Sequence, residues 1–205
     1  MTRDMGPMTP TPRLMTRRAL LQRAATGGSL IVLASLALSS PLAAHPLPGT
    51  EIVISVEPAR LSLTVTVPYT DLALAMAKGL PKSTGIAPLP AEVEQAVAAY
   101  FAQHMAVSVK GQPAPQLTLS RANPERATHE DIGAYTQLVL DFSAPLAADR
   151  QDFPLTLTYD AVIHEIRNQS ATVFLQSTGQ EAVAIGEIRL DPATGKVAPL
   201  TVFGP

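Results

Sequence analysis

The sequence predicts a mainly β fold: an antiparallel β-sandwich with a helical insertion at roughly residues 70–105, preceded by a cleaved leader. Three observations carry that prediction. Apolar and polar residues alternate through several short runs, the period of strands with one buried face. Proline and glycine fall mostly between these runs, where turns belong. One longer segment, residues 91–105, changes to the three- and four-residue spacing of a helix.

In chain order, the leader comes first. Arg3, Arg13, Arg17, Arg18 and Arg23, with the single acid Asp4, surround or precede AATGGSLIVLASLALSS. Its apolar stretch of roughly 15 residues suits a signal-peptide core and is too short to span a bilayer. Pro41 stops a helix and Leu42-Ala43-Ala44 offers a small residue at the cut, with a tolerable rather than ideal Leu two places before it, so residues 1–44 are expected to be removed and His45 to become the amino terminus. The stretch TRRALLQ, Thr16 to Gln22, resembles a twin-arginine export motif, with Leu20 where that motif prefers Phe and Gln22 where it prefers Lys, and Met15 as the true start would give a leader of conventional length. An ordinary secretory leader that happens to carry two arginines is the alternative. Either route implies a periplasmic protein, soluble after cleavage.

Residues 45–205 then read as one β-rich domain. TEIVISVEPARLSLTVTVPY is a hairpin, with Ile52, Ile54 and Val56 on one face and Leu61, Leu63, Val65 and Val67 facing the core on the return strand. TDLALAMAKGL is a short helix, capped by Thr70 or Asp71 and stopped at Gly79. AEVEQAVAAYFAQHM is the strong helix, its stripe formed by Val93, Val97, Tyr100, Phe101, His104 and Met105. The period then returns to two in AVSVKG, QLTLS, TQLVLDF, PLTLTYDAVIH and SATVFLQ. A final hairpin turns around Asp191 to Gly195.

Composition narrows the function. Setting aside the five arginines and Asp4 of the leader, the 15 basic and 17 acidic residues fall to ten and sixteen, a formal net charge of −6. That argues against nucleic acid as partner, which needs a basic footprint. There is no cysteine, which excludes disulfide partners, thiolate nucleophiles and cysteine-based metal centres. No GxSxG elbow, HExxH helix or glycine-rich phosphate loop occurs, so an enzyme is not expected.

AHPLPGTEIVISVE, LTVTVPYTDLALAM, YFAQHMAVSVKG and LTYDAVIHEIRNQSATVFLQ together resemble the exported N-terminal domain of hydrogenase/urease accessory membrane proteins of the HupE/UreJ type, over most of residues 43–190. The resemblance implies an accessory domain beside a membrane transporter or metal-handling system, with an inner-membrane, permease-like partner. Members usually continue into several membrane helices, to which nickel or cobalt transport belongs; these 205 residues include none, so transport is not carried over. Gln169 stands where many members would have a second histidine, which weakens a histidine-rich site.

Four histidines are available: His45, His104, His129 and His164. A terminal His45 offers its amine and Nδ1 as a two-nitrogen chelate for copper or nickel, while Pro46 has no amide hydrogen to extend it. A frayed terminus is the plain alternative. His164 is the second metal candidate, although a regular strand through Asp160 and His164 would separate them by about 13 Å, so they are not a chelating pair unless the strand bulges. A sheet histidine satisfied by hydrogen bonds is the competing reading. His104 reads as a core position and His129 as part of a charged, solvated loop. The expected function is therefore a non-enzymatic, exported accessory or binding domain. The alternative is a stand-alone periplasmic copper- or nickel-binding protein using His45 with a histidine such as His164.

Overall fold

The computed structural model describes residues 48–57, 59–77, 79–81, 86–109, 116–146 and 154–204. The leader, its arginine pair, the cleavage point and His45 lie outside the described residues. The described chain is mainly β, as the alternation predicts, with two helices between the second and third strands.

The opening hairpin joins β1 (Thr50–Glu57) to β2 (Arg60–Pro68), with Ile54 opposite Leu63 and Ile52 opposite Val65. The alternation decides which side chains enter the core: Ile52, Ile54, Leu61, Leu63, Val65 and Val67 are all fully buried. Two helices follow, α1 (Tyr69–Ala75) and α2 (Ala91–His104). Neither begins with a side-chain cap. Pro68 and Pro90 hold the two N-cap positions, so Thr70 and Asp71 fall inside the first turn of α1 instead of capping it. The end of α1 also differs from expectation. It closes at Met76, and Ala77 turns left-handed at φ 52° before Gly79 is reached.

The remaining elements are β3 (Met105–Val109), β4 (Thr118–His129), β5 (Gly133–Pro145), β6 (Leu155–Tyr159), β7 (Ser170–Gln176), β8 (Val183–Asp191), β9 (Lys196–Val197) and β10 (Leu200–Val202). They form a seven-stranded sheet, β4-β5-β2-β1-β7-β8-β9, and a three-stranded sheet, β10-β6-β3. One pairing departs from the antiparallel expectation: β1 and β7 run parallel, Ile52 beside Val173 and Ile54 beside Leu175, so the large sheet is mixed. The segment read as a charged loop around His129 is the end of β4, turning into β5 at Gly133, whose φ of 74° suits glycine. Pro124 is tolerated within β4 because that strand is an edge, where a missing N–H need not break a ladder.

One core lies against both sheets. Buried side chains of β1, β2 and β5 join those of β3, β6 and β10 in a single cluster. Phe101 of α2 links the two layers, its ring 5.4 Å from Phe142 in β5 and 6.5 Å from Tyr159 in β6. That packing fixes the helix at its C-terminal end, where it hands over to β3. Among the described residues, no helix is long and apolar enough to cross a membrane.

Candidate metal centre

The chain does not continue as a strand beyond Tyr159. Residues 160–168 instead fold into a series of turns, in which the amides of His164 and Ile166 bond back to the carbonyls of Asp160 and Val162. Three consecutive apolar side chains, Ala161, Val162 and Ile163, anchor these turns, and all are essentially fully buried. A strand would have sent Val162 to the opposite face from its neighbours. Burying all three requires a sharp bend, and Val162 takes it at φ 66°, an uncommon conformation for a β-branched residue. Its N–H donates to Tyr100 Oη at 2.8 Å, so α2 holds the bend in place. The Tyr100 phenol is held above its ordinary pKa, first by burial and further by the nearby carboxylates of Asp160 and Glu165, against the opposing Val162 hydrogen bond.

The bend corrects the expected separation of Asp160 and His164. The two stand four residues apart on a turn, and His104, at the last position of α2, joins them. One donor atom from each of His104, Asp160 and His164 lies within 4.8 Å of the others. The imidazoles of His104 and His164 are stacked, with centroids 4.2 Å apart and planes 10° from parallel. Tyr100 packs beside both, at 4.6 Å from His104 and 6.0 Å from His164. His104 is thus not a core residue. It faces a cleft, with its side chain about one-fifth exposed.

Asp160 orients both rings. Its Oδ1 lies 2.8 Å from His104 Nδ1, and its backbone carbonyl lies 3.0 Å from His164 Nδ1. Carboxylate and carbonyl oxygens accept hydrogen bonds, so each Nδ1 carries the hydrogen. In the neutral rings this leaves both Nε2 atoms with free lone pairs. Metal-binding histidines are commonly arranged this way, with the second ring nitrogen tied to a carboxylate or a carbonyl. The Asp160 amide also donates to the His104 carbonyl at 3.0 Å, joining the turn to the end of the helix. A helix C-terminus carries partial negative charge, which favours a cation near His104.

Lone pairs on stacked rings run parallel, so capturing one ion at the usual ~2.0–2.1 Å would require the exposed His164 ring to turn well away from parallel. The pair could also move a proton, since a carboxylate on Nδ1 is how general-base histidines are oriented. Among the described residues, no hydroxyl is hydrogen-bonded to either ring to act as nucleophile.

Neither the family models nor the curated proteins give a match to this chain.

Of the residues singled out in the sequence, His164 is in the cluster and His45 lies outside the described residues. His129 is elsewhere, at the end of β4, where its Nδ1 accepts the Asp131 amide at 3.3 Å. The sequence does not place His104 and Asp160 in a site, because helical spacing puts one in a core stripe and regular strand geometry puts the other out of reach of His164 unless the strand bulges. The signal that was present is the unbroken run Ala161-Val162-Ile163. It interrupts the alternation at the point where the strand stops.

Proposed function

We propose that the chain is an exported, non-enzymatic accessory domain of a metal-handling system, and that His104, Asp160 and His164 form its centre for a divalent transition-metal ion. One observation carries the reading: a single residue, Asp160, ties down Nδ1 of two adjacent imidazoles and leaves both Nε2 atoms available. Two imidazoles with a carboxylate alongside suit copper(II) and nickel(II), and copper(II) is expected to bind more tightly. The likeness to HupE/UreJ-type domains supports the setting, with a permease-like inner-membrane protein as partner.

Calorimetric titration of the full chain with copper(II) and nickel(II) tests the site. One ion should bind per chain. His104→Ala and His164→Ala should each lower affinity by at least about tenfold, and Asp160→Asn by about 10–100-fold, the usual cost of disturbing an outer-sphere partner. Unchanged binding in all three variants would move the ion elsewhere, His45 being the alternative, and absence of binding in the unaltered chain would end the metal reading.

A further inference from the structure

The cleft that contains the three donors is larger and more positive than a bare cation needs. It encloses about 450 Å³, within the range of roughly 300–1,000 Å³ typical of small-molecule sites. Arg167, from the end of the 160–168 turns, and Lys196, from β9, line it together with His104, Asp160 and His164. Asp160 is the one acid among the described lining residues, so the wall carries two fixed cations against a single carboxylate. Both cationic side chains are exposed, and neither takes part in an ion pair among the described residues. A domain whose residues 45–205 carry a formal charge of −6 has thus placed two unpaired cations beside its metal donors.

These two charges oppose a divalent ion and offset part of the attraction that Asp160 and the helix C-terminus exert on it. The conflict disappears if the ion arrives with its own anionic groups. From this, and resting on the metal reading above, we propose that the cleft takes its metal as a chelate with a small di- or tricarboxylate. His104 and His164 would supply nitrogen to the metal, and Arg167 and Lys196 would receive the carboxylates. Guanidinium pairs with a carboxylate through two parallel hydrogen bonds, whereas ammonium acts as a point charge, so Arg167 is the orienting residue and Lys196 the neutralising one. Atoms and charges balance without any covalent step: the chelate exchanges bound water for imidazole nitrogen.

Citrate is the probe, and its sign of effect is the test. For an ordinary metal site, citrate competes for the ion and weakens apparent binding. Here, equimolar citrate should tighten nickel(II) binding by the full chain about tenfold or more, and equilibrium dialysis should retain one labelled citrate per nickel. The double variant Arg167→Gln/Lys196→Gln, altered only at exposed positions, should still bind nickel(II) alone but lose the retained citrate, so that citrate now competes. If citrate only competes with the unaltered chain, or is retained equally by the double variant, the chelate proposal is wrong and the metal centre stands. If neither nickel(II) nor copper(II) binds with or without citrate, the metal reading fails and takes the chelate with it.

Discussion

Asp71 and Gln169 show how much one side chain can decide. Gln169 is almost fully buried, and its Nε2 donates to Asp71 Oδ2 at 2.5 Å, tying α1 to the end of the 160–168 turns. Burial raises the Asp71 carboxyl above its ordinary pKa, with the Thr70 hydrogen bond partly opposing. An acid raised on folding costs stability above its folded pKa, and that cost disappears below the unfolded value of 3.8. Asp71→Asn keeps an acceptor for Gln169 without the charge. It should be neutral or stabilising at pH 7 in urea unfolding, and any advantage should vanish below about pH 4. Asp71→Ala leaves a buried amide without its partner and should cost about 1–3 kcal/mol. If the Asn variant is as damaged as the Ala variant, the charge matters and burial is not the dominant effect. Little of this pair was legible beforehand. Asp71 reads locally as a cap, and Gln169 as a position where members of the family the sequence resembles would carry histidine. Their contact joins residues that no local pattern connects.

Strands were more legible than the joints between them. The inward face of β2 follows from Leu61, Leu63, Val65 and Val67 alone, because a period of two leaves only one choice of face. Leu63→Asp tests that face. Leu63 lies fully buried between Ile54 of β1 and Phe142 of β5. An unpaired charge there costs several kcal/mol against a total stability of about 5–15, so cooperative unfolding should be lost or its midpoint should collapse. A soluble Leu63→Asp chain with an unchanged midpoint would place the wrong face inside. The end of β6 was misread for a physical reason. Val162 and Ile163 favour strands, and the tertiary demand to bury three adjacent side chains overrides that preference. The cluster of His104, Asp160 and His164 depends on this override, so it stayed hidden while the fold class was plain.

At the scale of the whole molecule, Tyr159 joins the two sheets. It is fully buried in β6, and its hydroxyl donates to Thr50 Oγ1 of β1 at 3.4 Å. Burial, offset in part by that hydrogen bond, raises its phenol well above the ordinary value of 10.0. The folded state therefore keeps a proton that the unfolded chain releases. The stabilisation is complete below pH 10 and is lost as pH rises from there towards the folded pKa. Alkaline titration followed by circular dichroism should show stability falling above about pH 10, and Tyr159→Phe should flatten that fall at a cost of about 1 kcal/mol at neutral pH. An identical alkaline limb in the variant would assign it to another group. The parallel pair β1–β7 has a different consequence, one of timing. β1 is the first strand among the described residues and the middle strand of its sheet, yet its parallel neighbour begins only at Ser170. While the chain is being synthesised, β1 waits with one row of N–H and C=O groups unpaired, a template for any other strand that reaches it first. The large sheet can close only after the chain has been made past residue 170, so until then its growing form is open to mispairing.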